Sequence, residues 1–142
     1  MTNKLISYKR ILCPVDYADH SLAAVQHAIS ISAKFGSRIT LLNIFKLPDV
    51  AALTGVSSET IEYERNQLEA FAEEVSAPGI NMEFHVRMGH IGQEIIDTAE
   101  QVNADLIVMG SHGYSGLQRI MLGSTAEYIL EHSNIPAMII RI

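Results

Sequence analysis

Short apolar runs alternate along this chain with longer segments whose apolar residues recur at helical spacing, and that alternation limits the fold more than any other feature. Lys9 to Val15, Arg38 to Phe45, Ala104 to Met109 and Ala137 to Ile142 read as buried strands. Met82, Phe84 and Val86 alternate with Glu83, His85 and Arg87, which marks a further strand with one wet face, expected at a sheet edge. Between them lie four helical segments. Asp19 to Phe35 carries Leu22, Val25, Ile29 and Ala33 on one face and stops at Gly36. A helix capped by Ser57 or Ser58 runs to about Ser76 on a stripe of Ile61, Leu68, Phe71, Ala72 and Val75. Ile91 to Val102 aligns Ile91, Ile95, Ala99 and Val102, and Ser124 to Glu131 forms the last helix. Strands that alternate with helices are joined by right-handed crossovers, so the pattern predicts a mainly parallel sheet covered on both faces. Neither a repeat nor a linker divides the chain, and residues 1–142 are expected to form one α/β domain.

Composition narrows the function. The net charge of −6 opposes general nucleic-acid binding, which needs a basic face. It leaves room for a mononucleotide held by backbone N–H groups. Cys13 is the single cysteine, so neither an intrachain disulfide nor a multi-thiolate zinc site is available. The apolar stretch within Met1 to Arg10 is too short for a secretory signal, and no run is long enough to span a membrane. A cytoplasmic chain is the expectation.

In an open parallel sheet, ligands bind beyond the carboxyl ends of the strands. The first strand ends at Asp16, and the fourth ends at Gly110, followed by Ser111-His112-Gly113. From Gly110 the spacing is Gly-x2-Gly-x9-Gly-Ser-Thr, closing at Gly123-Ser124-Thr125. Gly110 and Gly113 permit positive φ and close approach of backbone N–H groups to a ligand. Gly123 lets a phosphate approach the last helix, whose N-terminus offers free N–H donors and a favourable dipole. Ser124 and Thr125 can cap that helix or offer hydroxyls to a phosphate. This is neither the P-loop pattern, since no Gly-Lys-Ser/Thr occurs, nor the Gly-x-Gly-x-x-Gly of dinucleotide-binding folds. On spacing alone, an ordinary loop and C-cap is the alternative reading of these glycines.

Four stretches carry a wider likeness: Ile11-Leu12-Cys13-Pro14-Val15-Asp16, Ile39-Thr40-Leu41-Leu42-Asn43-Ile44, Asp105-Leu106-Ile107-Val108-Met109-Gly110-Ser111-His112-Gly113 and Ile135-Pro136-Ala137-Met138-Ile139-Ile140. With them, the chain resembles a single-domain universal stress protein over nearly its whole length. The resemblance implies a fold of the adenine nucleotide alpha hydrolase type, an open sheet of five parallel strands in the order 3-2-1-4-5 with helices on both faces. It also implies ATP binding, since members with the complete glycine spacing bind ATP. By matching position, Asp16 would accept hydrogen bonds from the ribose hydroxyls. Pro14, Val15 and Ile44 would wall the adenine, Met109 would pack near the base, and Gly110 would approach the ribose. Gly113, Gly123, Ser124 and Thr125 would cradle the phosphates of ATP, AMP or ADP, with Mg²⁺ accompanying them. Phe45 and His90 depart from the residues usual in the family, and Thr125 adds a hydroxyl where Val is common. A homodimer through the edge strand Ala137 to Ile142 is implied as well, covering apolar side chains that would otherwise face water.

Other residues admit a plainer reading. His112 can contact a phosphate or shuttle a proton, or simply face solvent. Arg119 can close over the γ-phosphate or stand exposed. Ser111 and Ser115 suit turns. Cys13 suits the core better than redox chemistry. His20, His27, His85 and His132 show no metal spacing, and Glu59, Glu62, Glu69, Glu73 and Glu74 form a solvated helix face. The leading expectation is a nucleotide-dependent regulatory or sensor module that serves an unidentified protein partner. The alternatives are a slow ATPase or self-phosphorylating protein, a structural dimer with a vestigial pocket, and a flavin binder. No P-loop lysine or positioned carboxylate base supports efficient hydrolysis.

Overall fold

The computed structural model of the chain describes residues 4–45, 55–112 and 122–142. Strands β1 (Arg10–Pro14), β2 (Arg38–Phe45), β3 (Asn81–Met88), β4 (Leu106–Gly110) and β5 (Ala137–Ile140) alternate with helices α1 (Asp19–Phe35), α2 (Ser58–Val75), α3 (Ile91–Gln101) and α4 (Ser124–His132). All pairings are parallel, and the sheet order is β3-β2-β1-β4-β5. The expected architecture is therefore present, with β3 at one edge. No described helix is long and apolar enough to cross a membrane.

The pleat divides the core in two. Ile11, Cys13, Val15, Ile39, Leu41, Leu106 and Val108 face Ala24, Val25 and Ala28 of α1 and Leu68 and Ala72 of α2. Leu12, Leu42, Ile107 and Met109 face Ile95, Ile96 and Ala99 of α3 and Ala126 and Ile129 of α4. Two helices on each face bury nearly every side chain of the central strands, as a parallel sheet requires. At the amino end of the sheet, the Asp105 carboxylate accepts the N–H groups of Lys9 and Arg10 at 2.9 and 3.2 Å, tying β4 to β1.

Three expectations need correction. The inner face of α1 is Ser21, Ala24, Val25, Ala28 and Ser32, while Leu22 is 38% exposed and Ala33 is also exposed. Hydrogen bonding allows the two serines inside: Ser32 Oγ donates to the Ser37 carbonyl at 2.6 Å, and Ser21 Oγ accepts the Asp16 N–H at 3.1 Å. On α2, Ile61 is 40% exposed and lies off the packed stripe. Strand β5 ends at Ile140 rather than Ile142, and Ile140 turns inward to join the α1 side of the core. Gly36 takes φ 68°, and its N–H donates to the Ser32 carbonyl, closing α1 as its composition suggests.

Candidate functional site

Strands β1 and β4 are neighbours, in register at Ile11 with Leu106 and Leu12 with Ile107. Their carboxyl ends consequently open side by side at the point where the winding direction reverses. A cleft of about 550 Å³ lies there, within the range of small-molecule sites. Pro14, Val15, Asp16, Ile44, Met109, Gly110, Gly123, Ser124 and Thr125 line it, so nine of the residues expected from sequence converge in one place. Gly113 falls outside the described residues, as do Ser115 and Arg119.

One wall is set by the end of β1. The Val15 N–H donates to the Leu42 carbonyl at 2.8 Å, and its own carbonyl accepts the Asn43 side-chain amide at 3.0 Å. Asp16 follows, clamped at both ends: its N–H goes to Ser21 Oγ, and its Oδ1 accepts the Ala18 N–H at 3.0 Å. Oδ2 keeps no hydrogen-bond partner among the described residues. The chain then reverses at Tyr17, whose φ of 67° is uncommon for a bulky residue. Its ring packs edge-on against Phe71 at 5.2 Å.

The start of α4 forms another part of the wall. Gly123 is its N-cap residue, with φ −66° and ψ 157°, and among the described residues no side chain caps the helix. This corrects the capping role expected of Ser124 and Thr125. They occupy the first two helical positions, so their hydroxyls are spared from capping. The N–H groups of residues 124–126 begin the helix with no intrahelical acceptor, as in any first turn. Residues 124–126 line the cleft, where the helix dipole favours an anion.

The two described glycines of the motif, Gly110 and Gly123, serve by closeness rather than by positive φ. Neither Gly110 nor Gly123 lies in the left-handed region. A Cβ on Gly123 would stand 2.7 Å from the Ser111 carbonyl oxygen, which accepts the Gly123 N–H at 2.8 Å. That bond brings the start of α4 against the end of β4.

Sequence reading missed Ser21, Leu42, Ile91, Ile95 and Ala126 on the cleft wall, and undervalued Ser111 and His112. Ser111 is not merely a turn residue. It is 1% exposed, and its Oγ lies 3.0 Å from Nδ1 of both His20 and His112. Cys13 lies beneath the site in the core, where burial pushes its thiol up to about 12. Among the described residues no group of three His, Cys, Asp or Glu side chains could hold a metal ion, and Asp16 is the one carboxylate on the cleft wall.

The profile of the universal stress protein family matches residues 7–141. Universal stress protein MJ0531 of Methanocaldococcus jannaschii is 32% identical, over 94% of this chain and 82% of its own. Among solved structures, MJ0577 superposes with a TM-score of 0.83 at 26% identity, over 96% of this chain and 98% of its own. A universal stress protein from Archaeoglobus fulgidus, solved in complex with dAMP, shares the fold with a TM-score of 0.69 at 22% identity, over 96% of this chain and 100% of its own. Another, solved in complex with cAMP, gives a TM-score of 0.67 at 21% identity, over 96% of this chain and 98% of its own.

Proposed function

The chain belongs to the universal stress protein family, and on that premise we propose that its cleft binds an adenine nucleotide, with ATP and AMP as competing occupants, and that occupancy sets a regulatory or sensor role in a stress response. One observation carries this reading. A single cleft is lined both by Asp16, whose Oδ2 has no hydrogen-bond partner among the described residues, and by the helix N-terminus at residues 124–126, which no described side chain caps. A nucleotide offers hydroxyl donors at its ribose and acceptor oxygens at its phosphates, the complement of both. Pro14, Val15, Ile44 and Met109 supply an apolar wall for the base between them. Gly110, Gly123, Ser124 and Thr125, with Gly113 from the same motif, belong to the ribose and phosphates. That fold neighbours were solved with dAMP and cAMP supports the adenine class.

Mg²⁺ fits as a companion of the phosphates rather than as a resident of the protein, since it keeps water and phosphate ligands and needs few carboxylates. The same shortage of carboxylates favours binding over hydrolysis. The edge position of β5, with Met138 at 37% exposure and Ile142 just beyond the strand at 59%, supports a homodimer along that edge.

Calorimetric titration with adenosine, AMP and ATP, with and without Mg²⁺, tests the reading. Affinity is expected to rise from adenosine to the phosphorylated ligands. Equal affinity for all three, or none for any, overturns it. Phosphate release measured on the ATP complex separates a sensor from a slow ATPase.

A further inference from the structure

We propose that His20, Ser111 and His112 form a hydrogen-bonded relay that presents His112 Nε2–H as a donor to the anionic group of the bound nucleotide. This rests on the cleft being a nucleotide site and assigns three further residues to it.

One proton sets the arrangement. A serine hydroxyl has a single hydrogen to give and lone pairs to accept with. Ser111 Oγ is 3.0 Å from His20 Nδ1 and 3.0 Å from His112 Nδ1. Its backbone is fixed on both sides, the N–H donating to the Ile140 carbonyl at 2.9 Å and the carbonyl accepting from Gly123 at 2.8 Å. The two rings meet edge-on with centroids 5.4 Å apart. Ser111 can donate to only one Nδ1, so the other must carry its own hydrogen and donate to Oγ. With both imidazoles neutral, the two rings therefore hold opposite tautomers, one Nδ1–H and the other Nε2–H.

The rings differ in position. His112 lines the cleft, whereas His20 stands in the first turn of α1 and is not part of the lining. The His112 Cα is 3.5 Å from where a Gly123 Cβ would stand, beside the uncapped turn of α4. A phosphate held by that turn offers only acceptor oxygens, so it favours the Nε2–H tautomer of His112. Ser111 then donates to His112 Nδ1 and accepts from His20 Nδ1–H. With both rings neutral, each holds one proton before and after binding, and only its position on the ring changes, by exchange with solvent. Adenosine, without a phosphate, exerts no such preference.

Three measurements test the relay. Titrations of wild type with adenosine, AMP and ATP establish the phosphate-dependent gain. His112→Phe is expected to weaken AMP and ATP about tenfold, the loss of one hydrogen bond to a charged acceptor, while adenosine is unaffected. His112→Gln, whose amide restores a donor at the Nε2 position, recovers most of that loss. In that background Ser111→Ala has no further effect, although it weakens ATP binding in the wild type. Nitrogen NMR of the ring atoms in unmutated protein reads the tautomers directly, with His112 as Nε2–H and His20 as Nδ1–H in the AMP complex. A phosphate-dependent gain that survives His112→Phe, or the same tautomer on both rings, overturns the relay while leaving the nucleotide site standing. A wild type that binds no nucleotide removes the site and the relay together.

Discussion

The backbone of His20 fills the space that a side chain at Gly110 would need. A Cβ built on Gly110 stands 2.7 Å from His20 Cβ, 2.8 Å from its carbonyl carbon and 2.9 Å from its carbonyl oxygen. Two of these atoms are backbone in the first turn of α1, so relief requires shifting the helix rather than rotating a side chain. Gly110→Ala is expected to lower stability by about 1–3 kcal/mol, the range for overpacking a close contact. Urea denaturation measures it, and a midpoint equal to that of the wild type would refute the steric account.

Ser124→Pro separates phosphate binding from folding. Proline suits the first helical position, where its missing N–H has no helical partner, and the preceding Gly123 already has the extended ψ of 157° that proline demands. Stability should stay within about 1 kcal/mol of wild type. If the start of α4 holds phosphate, ATP affinity should fall about tenfold or more, since proline removes both the N–H and the hydroxyl of Ser124. Full ATP affinity in this variant would place the phosphates elsewhere.

Cys13 gives the fold a predictable alkaline weakness. Its thiol is raised from 9.0 to about 12 by burial, so the folded chain keeps a proton that the unfolded chain releases. The contribution is complete below about pH 9 and is lost as pH rises toward 12, at up to about 1.4 kcal/mol per pH unit. Denaturant titrations at pH 8 and pH 10.5 should therefore show a smaller decrease for Cys13→Ala than for wild type. A thiol reagent at pH 8 should label the protein only after denaturation; rapid labelling of the native state would contradict the burial.

For the edge strand, the double variant Met138→Lys with Ile142→Lys adds two charges where apolar side chains stand exposed. Light scattering should find a dimer in the wild type and a monomer in the variant, with an unchanged circular dichroism spectrum. A wild type that stays monomeric at high micromolar concentration rules out pairing along β5.

Periodicity made the order of elements legible, because the central strands are buried on both faces and the helices on one. It read α1 less well. Apolar spacing pointed to Leu22 and Ala33, whereas Ser21 and Ser32 lie inside because their hydroxyls are bonded to Asp16 and Ser37. Such burial depends on partners distant in the chain, and hydropathy does not register it. The site divided in the same way. Asp16, Gly110 and Gly123 stood out through position and spacing. Leu42 and Ile95 are ordinary core residues, and Ile91 packs against their cluster; all three border the cleft only because of where their elements stop. The link among His20, Ser111 and His112 joins residues 91 positions apart, and nothing local to either announces it.

The hydrogen bond from the Ser111 N–H to the Ile140 carbonyl gives the last strand a second office. Strand β5 is one chain thick. Its inner edge holds the residue that anchors both imidazoles, and its outer edge is open to pairing. A nucleotide on one side and a partner strand on the other would pull on the same short length of backbone. Such a shared element is what two binding events need in order to influence one another, and by thermodynamic reciprocity each would alter the other's affinity by the same factor.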